Sequence, residues 1–165
     1  SIKSSDYQAS GEIPCVDQGR DFIGGYTNNS EALIADPLPI IVFGDHTRVL
    51  KFVQFPFASG ADGTQLLYPE KPISSEYFYL ALKAVDLSNQ HYARHFKFLK
   101  EKIIIVPDDE NLGIFTLFAK QLMKQVEVLR RQNQNLAASR DLLLPRLISG
   151  QLSVASAERE LEKVA

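Results

Sequence analysis

The sequence predicts an α+β protein: a domain of small mixed strands with helices over residues 1–107, then one long helix able to form a coiled coil. Three observations predict this. Phe115, Leu122, Leu129, Leu136 and Leu143 recur at heptad spacing, with Leu112, Ala119, Val126, Asn133 and Arg140 on the alternate seam, the pattern of a helix seeking a partner helix. Upstream, apolar β-branched runs are separated by Gly, Pro, Asn and Asp, as short strands are. At the joint, Pro107 precedes Asp108, Asp109 and Glu110, which place negative charge at the positive pole of a helix N-terminus. A helix of about 32 residues at about 1.5 Å rise spans roughly 48 Å, too long to fold into a compact domain of this size.

In chain order, Ile13-Pro14-Cys15-Val16 is a strand candidate, and residues 18–30 form a loop rich in turn formers. The run Leu38-Pro39-Ile40-Ile41-Val42-Phe43 predicts a buried strand ending at Gly44-Asp45-His46-Thr47-Arg48. Residues 49–57 alternate weakly as a second strand, and residues 59–64 turn into Gln65-Leu66-Leu67-Tyr68, so this part reads as a meander. Ser74-Ser75-Glu76 caps a helix over residues 76–87, with Phe78, Leu82 and Val85 on one face. Ile103-Ile104-Ile105-Val106 predicts a last strand. The long helix occupies residues 108–150, Pro145 breaks or kinks it, and residues 151–165 form a tail with a short amphipathic helix over 156–164.

Composition narrows the function classes. The net charge is −2, and residues 1–107 carry ten Lys/Arg against twelve Asp/Glu, with eight against eight beyond. Any anion-binding surface is therefore local. The single cysteine, Cys15, excludes an internal disulfide and a multi-cysteine metal site and fits a reducing cytoplasm. No apolar run approaches the roughly 20 residues of a membrane span, and no signal-peptide pattern opens the chain. The chain begins Ser1-Ile2-Lys3 rather than with Met, so a longer natural chain is one expectation.

Three stretches carry candidate chemistry. Gln18, Arg20, Tyr26, Asn28 and Asn29 offer amides, a guanidinium and a phenol, and such groups read base edges, Arg on guanine and Asn or Gln on adenine. A hairpin or Ω-loop of turn formers remains the open alternative. Asp45 beside His46 suggests a base and its orienter, the basis of a hydrolase alternative, but adjacent turn residues rarely face each other and no nucleophile motif accompanies them. His46, His91 and His95 lack a metal-ligand pattern, and no phosphate-binding glycine loop is present. Residues 91–102 form the one dense basic stretch, Arg94, Lys97, Lys100 and Lys102 interleaved with aromatics, suited to phosphates or to a solvated face. In the heptad, polar Asn133 and Arg140 at core positions cost stability and select register or partner; a coiled-coil scaffold without a nucleic-acid role is the other alternative.

The run Arg140-Asp141-Leu142-Leu143-Leu144-Pro145-Arg146-Leu147-Ile148-Ser149-Gly150-Gln151-Leu152 resembles the end of the long helix in the specificity subunits of type I restriction-modification systems. Residues 41–48, Phe55-Pro56-Phe57 with Gly60-Ala61-Asp62-Gly63, and residues 92–100 look like the body of a target recognition domain of that family. The entry to the helix departs from the family's usual Pro-Pro-Leu-x-Glu-Gln-x-x-Ile, and no internal repeat supplies the second domain and helix of full-length members.

The resemblance implies a non-catalytic chain that binds no cofactor. It would read one half of a bipartite double-stranded DNA target, while its helix pairs with an equivalent helix, in a homodimer or the second half of a longer chain. Methylase subunits using S-adenosylmethionine and a motor-nuclease subunit using ATP and Mg²⁺ are the implied partners. On this basis Gln18, Arg20, Tyr26, Asn28, Asn29, His46, Thr47, Arg48, Arg94, His95 and Lys97 are the expected DNA contacts. Loop amides and Arg20 would meet bases, and Arg48, Arg94 and Lys97 phosphates.

Overall fold

The structure, a computed structural model, describes residues 1–87, 94–155 and 159. Its class is the α+β arrangement that the sequence predicts, short strands and helices followed by one long helix. The chain divides into two compact units, Ser1–Lys120 and Gln121–Ala165, so the first turns of the long helix belong with the strands.

Strands β1 (Ile13–Val16), β2 (Gly25–Thr27), β3 (Leu33–Ile34) and β6 (Phe57–Ser59) form one sheet in the order β2-β1-β6-β3. Within it β1 and β6 run parallel, with Cys15 opposite Ala58. Strands β4 (Ile40–Gly44), β5 (Leu50–Val53) and β7 (Thr64–Leu67) form a second, antiparallel sheet in the order β5-β4-β7. The expected meander is thus replaced by two sheets. Residues 49–57 are not one strand: the ladder stops after Val53, and Pro56, which has no N–H to donate, precedes the crossing of β6 to β1. The loop expected over residues 18–30 contains β2, whose Gly25 lies opposite Cys15. A Cβ on Gly25 would stand 2.7 Å from the Tyr7 Cβ, so this close approach requires glycine.

All of β4 is buried because both of its faces are covered. Ile40 and Val42 join Val53 and the first sheet's Val16 and Phe57 in one core cluster. Toward the other face, the Phe43 ring lies 6.1 Å from Phe96 and the Phe52 ring 5.2 Å from Tyr79. Those partners sit on helices α2 (His95–Lys100) and α1 (Ser75–Lys83). Helix α1 starts where its cap predicts, with Ser74 Oγ accepting from the Tyr77 N–H at 3.1 Å, but ends at Lys83 rather than at residue 87.

Residues 103–106 are not a strand. Ile103 and Ile105 are 94% and 85% exposed, and the Ile105 carbonyl accepts from the Tyr77 hydroxyl. Strong local β-propensity is spent only where a sheet edge offers a ladder. Helix α3 (Asp109–Ile148) begins at the expected acidic cap, the Asn111 N–H donating to Asp108 Oδ1 at 2.9 Å. It runs through Pro145 and closes at Gly150, whose φ is +72° and whose N–H donates to the Leu147 carbonyl at 3.2 Å. Pro145 forfeits its own donor, but its carbonyl accepts from the Ser149 N–H at 3.0 Å, so the last turn re-forms beyond it. The tail helix expected over residues 156–164, Arg159 apart, and His91 and Tyr92 of the basic stretch lie outside the described residues.

Candidate nucleic-acid interface

The turn over residues 44–48 is the hub on which several expected contact residues converge. Gln18 reaches it from the end of β1: its Nε2 donates to the Asp62 carbonyl at 2.8 Å and its Oε1 accepts from the His46 N–H at 3.1 Å. The Thr47 hydroxyl donates to the Gln18 carbonyl at 2.6 Å. A Cβ on Gly63, whose φ is +74°, would meet His46 Cδ2 at 2.6 Å, so the neighbouring turn is seated against the imidazole. Arg48 sits in the left-handed region at φ 61°, and its Nη1 donates to the Leu87 carbonyl at 3.1 Å.

Asp45 ties this hub to α2. Its carbonyl accepts from the His95 N–H at 2.8 Å and its Oδ1 from the Phe96 N–H at 2.7 Å, which satisfies donors that a helix start leaves open. The carboxylate suspected of base chemistry therefore has a structural duty. His95 is buried, and its Nδ1 has no hydrogen-bond partner among the described residues. Lys100 Nζ lies 4.8 Å from the centroid of the Phe96 ring, a cation–π distance.

Tyr26, Asn28 and Asn29 gather elsewhere. Asn28 Oδ1 accepts from the Glu12 N–H at 3.0 Å, and its Nδ2 donates to Gln8 Oε1 at 3.2 Å. Asn29 accepts from the Glu31 N–H at 3.1 Å, and the Tyr26 backbone exchanges two hydrogen bonds with Gln8, each 2.9 Å. Glu12 precedes β1 and Gln18 follows it, a separation of about 20 Å in extended chain. The amides expected to read bases thus already hold loops at opposite ends of one strand. Arg20, Arg94 and Lys97 are exposed, and their side chains make no hydrogen bond or ion pair among the described residues.

A polar network that sequence reasoning missed supports the first loop. Lys51 Nζ, 3% exposed, lies 3.6 Å from Asp17 Oδ1 and donates to the Asp21 carbonyl at 2.6 Å. Tyr7 Oη donates to Asp17 Oδ2 at 3.1 Å. Burial lowers the Lys51 ammonium against the opposing pull of Asp17, and burial followed by Asp17 raises the Tyr7 phenol and the Cys15 thiol. The one signal in the sequence is a lysine between Leu50 and Phe52 in an apolar strand.

The heptad seam divides. In the first unit Leu112 and Ala119 are buried, Phe115 meets Tyr77 edge-on at 5.4 Å, and Thr116 Oγ1 lies 2.9 Å from Ser74 Oγ. In the second unit Leu122, Val126, Leu129, Leu136 and Leu143 are exposed, as are Asn133 and Arg140; Arg140 pairs with Asp141 at 2.7 Å. Ile114, Leu117 and Phe118 add exposed apolar surface that the heptad register does not contain. Among the described residues no group of three or more His, Cys, Asp or Glu could hold a metal ion. No described helix is long and apolar enough to cross a membrane.

The class defined here is a small α+β domain with a long C-terminal helix whose apolar row is open. Over 67 residues, 40% of this chain, the sequence is 33% identical to a type I restriction enzyme specificity subunit from Escherichia coli. That stretch is 17% of the subunit's length. No family model and no solved structure matches the chain.

Proposed function

We propose that this chain is a DNA-recognition module of a type I restriction-modification system. Residues 1–107 read one half of a bipartite double-stranded target, and residues 108–150 pair with an equivalent helix to set the distance to the other half. Residues 151–165 follow the helix as a C-terminal tail. The pairing helix comes from a second copy or from the second half of a longer chain. The observation that carries this reading is the similarity to a specificity subunit; the exposed leucine row on α3 supports the pairing. Methylation and cleavage, with their S-adenosylmethionine, ATP and Mg²⁺, belong to the methylase and motor-nuclease partners.

Within the interface Gln18, Arg20, Tyr26, Asn28 and Asn29 face base edges, Arg48, Arg94 and Lys97 face phosphates, and His46 and Thr47 complete the surface, while His95, expected as a contact, is buried behind it. Because Gln18, Asn28, Asn29 and Thr47 already hold loops, replacing them acts through loop shape. Arg20, Arg94 and Lys97 have no such duty, so replacing them acts on DNA binding alone. Selection of duplexes from random DNA, with the methylase partner present, tests the reading. An enriched half-site is expected, and Arg94→Ala with Lys97→Ala should reduce the salt slope of binding by roughly 0.9 for each phosphate that is no longer neutralised. Absence of any enriched half-site sinks the reading.

A further inference from the structure

Arg20 is exposed, yet both of its chain neighbours are tied to one ion pair. On one side the Gly19 N–H donates to Asp17 Oδ1 at 2.8 Å. On the other, the Asp21 carbonyl accepts from Lys51 Nζ at 2.6 Å. The same Nζ stands 3.6 Å from the same Asp17 oxygen, and Tyr7 Oη holds the other carboxylate oxygen at 3.1 Å. Lys51 belongs to β5, opposite Val42, so strand register rather than the loop places its ammonium. The Gly24 N–H closes the loop on the Cys15 carbonyl at 2.9 Å. A Cβ on Gly24 would lie 2.8 Å from Asp17 Oδ2, so the loop is seated directly on that carboxylate.

A buried ion pair is a weak source of stability, because desolvating both charges offsets their attraction. Its hydrogen bonds nevertheless fix geometry, and here they fix the residue on each side of a cation that has no partner of its own among the described residues. We propose that the Lys51–Asp17 pair, backed by Tyr7, is the positioning element of the candidate interface: it holds residues 19 and 21 so that Arg20 leaves the surface in one direction, and thereby sets the base preference of the first loop without touching DNA. A bidentate arginine contact needs the guanidinium plane to meet two acceptors on guanine at once. A released loop would still attract phosphates but would lose that discrimination. The inference rests on the DNA reading above.

Lys51→Met and Tyr7→Phe, made in the full chain and assayed with the methylase partner on random duplex DNA, test it. In Lys51→Met the backbone amides of residues 18–24 should exchange hydrogen roughly tenfold faster. The base position at which Arg20→Ala abolishes selection should also lose preference, by about tenfold, with the salt slope of binding unchanged. A merely structural role would instead weaken every base position together and overturn the inference. Tyr7→Phe removes one hydrogen bond and no charge, should show the same pattern at smaller size, and decides the matter if Lys51→Met does not fold. If the unaltered chain selects no half-site, the DNA reading falls and this inference falls with it. If it selects one and the folded variants keep its base preference, or their loop exchange is unchanged, the positioning role alone is overturned.

Discussion

In β4, Ile40, Ile41, Val42 and Phe43 are each at most 1% exposed; in the later part of α3, Leu122, Leu129, Leu136 and Leu143 are 43–67% exposed. Both are rows of large apolar side chains, unbroken in the strand and at every seventh residue in the helix. The strand has its demand met within its own unit, by β5 and β7 at its edges, the core cluster on one face and the two short helices on the other. Among the described residues the helix row has no comparable cover, and each leucine left in water forgoes roughly 1.5–3 kcal/mol of burial. Apolar periodicity alone therefore states that a partner is needed. Whether that partner lies in the same chain is a separate property, and exposed rows of this kind mark association surfaces.

The largest expected effect tests the buried side of this contrast. Phe43→Ala should cost about 3–5 kcal/mol in urea unfolding, whereas Leu129→Ala in the monomer should change stability by less than about 0.5 kcal/mol. Equal costs would break the contrast. Next comes the open side: Leu129→Glu combined with Leu136→Glu should leave domain melting unchanged and weaken self-association in sedimentation velocity by at least about a hundredfold, since two leucines no longer bury. A chain that sediments as a monomer with or without these changes would remove like-helix pairing in the isolated protein.

The smallest effects are titrations, one on the alkaline side of neutrality beneath the first sheet's loop and one on the acid side at the start of α3, both within the first unit. Burial, then the charge and hydrogen bond of Asp17, raises the Tyr7 phenol above its ordinary 10.0. The folded domain thus keeps a proton that the unfolded chain releases above about pH 10, so this contribution is intact below that pH and is lost as pH rises beyond it. Tyr7→Phe should flatten the alkaline limb of melting temperature against pH. At the start of α3, hydrogen bonds from Asn111, backbone first, lower the Asp108 carboxyl below its ordinary 3.8. Its contribution is present above that value and lost as pH falls through the folded one, and Asp108→Asn should flatten the acid limb of helicity seen by circular dichroism.

Much of the fold is legible in the sequence because its signals are local. Ser74 and Asp108 cap helices through their own next turn, and β4 announces itself by an unbroken β-branched run. Ile103-Ile104-Ile105-Val106 carries the same signal yet forms no strand, since a strand also needs an edge to pair with and these residues pair with none among the described residues. The candidate interface is legible only as a set of residue types. Nothing in the spacing of Gln18, Asn28 and Asn29 says that the first meets the turn over residues 44–48, while the others lie at the far end of β1.

By itself the sequence determined the α+β class, the start of each capped helix, the buried centre of the second sheet and the period of the leucine row, because each depends on contacts within a few residues. The tertiary structure alone decided that β6 crosses to β1, that Leu112 and Ala119 are covered while Leu122 onward is open, and that Arg20 stands between two pins. Lys51 lies in the second sheet and Asp17 just beyond a strand of the first, far apart in the chain. Only the stacking of those sheets over a shared core brings their charges to 3.6 Å, and no local propensity encodes that distance.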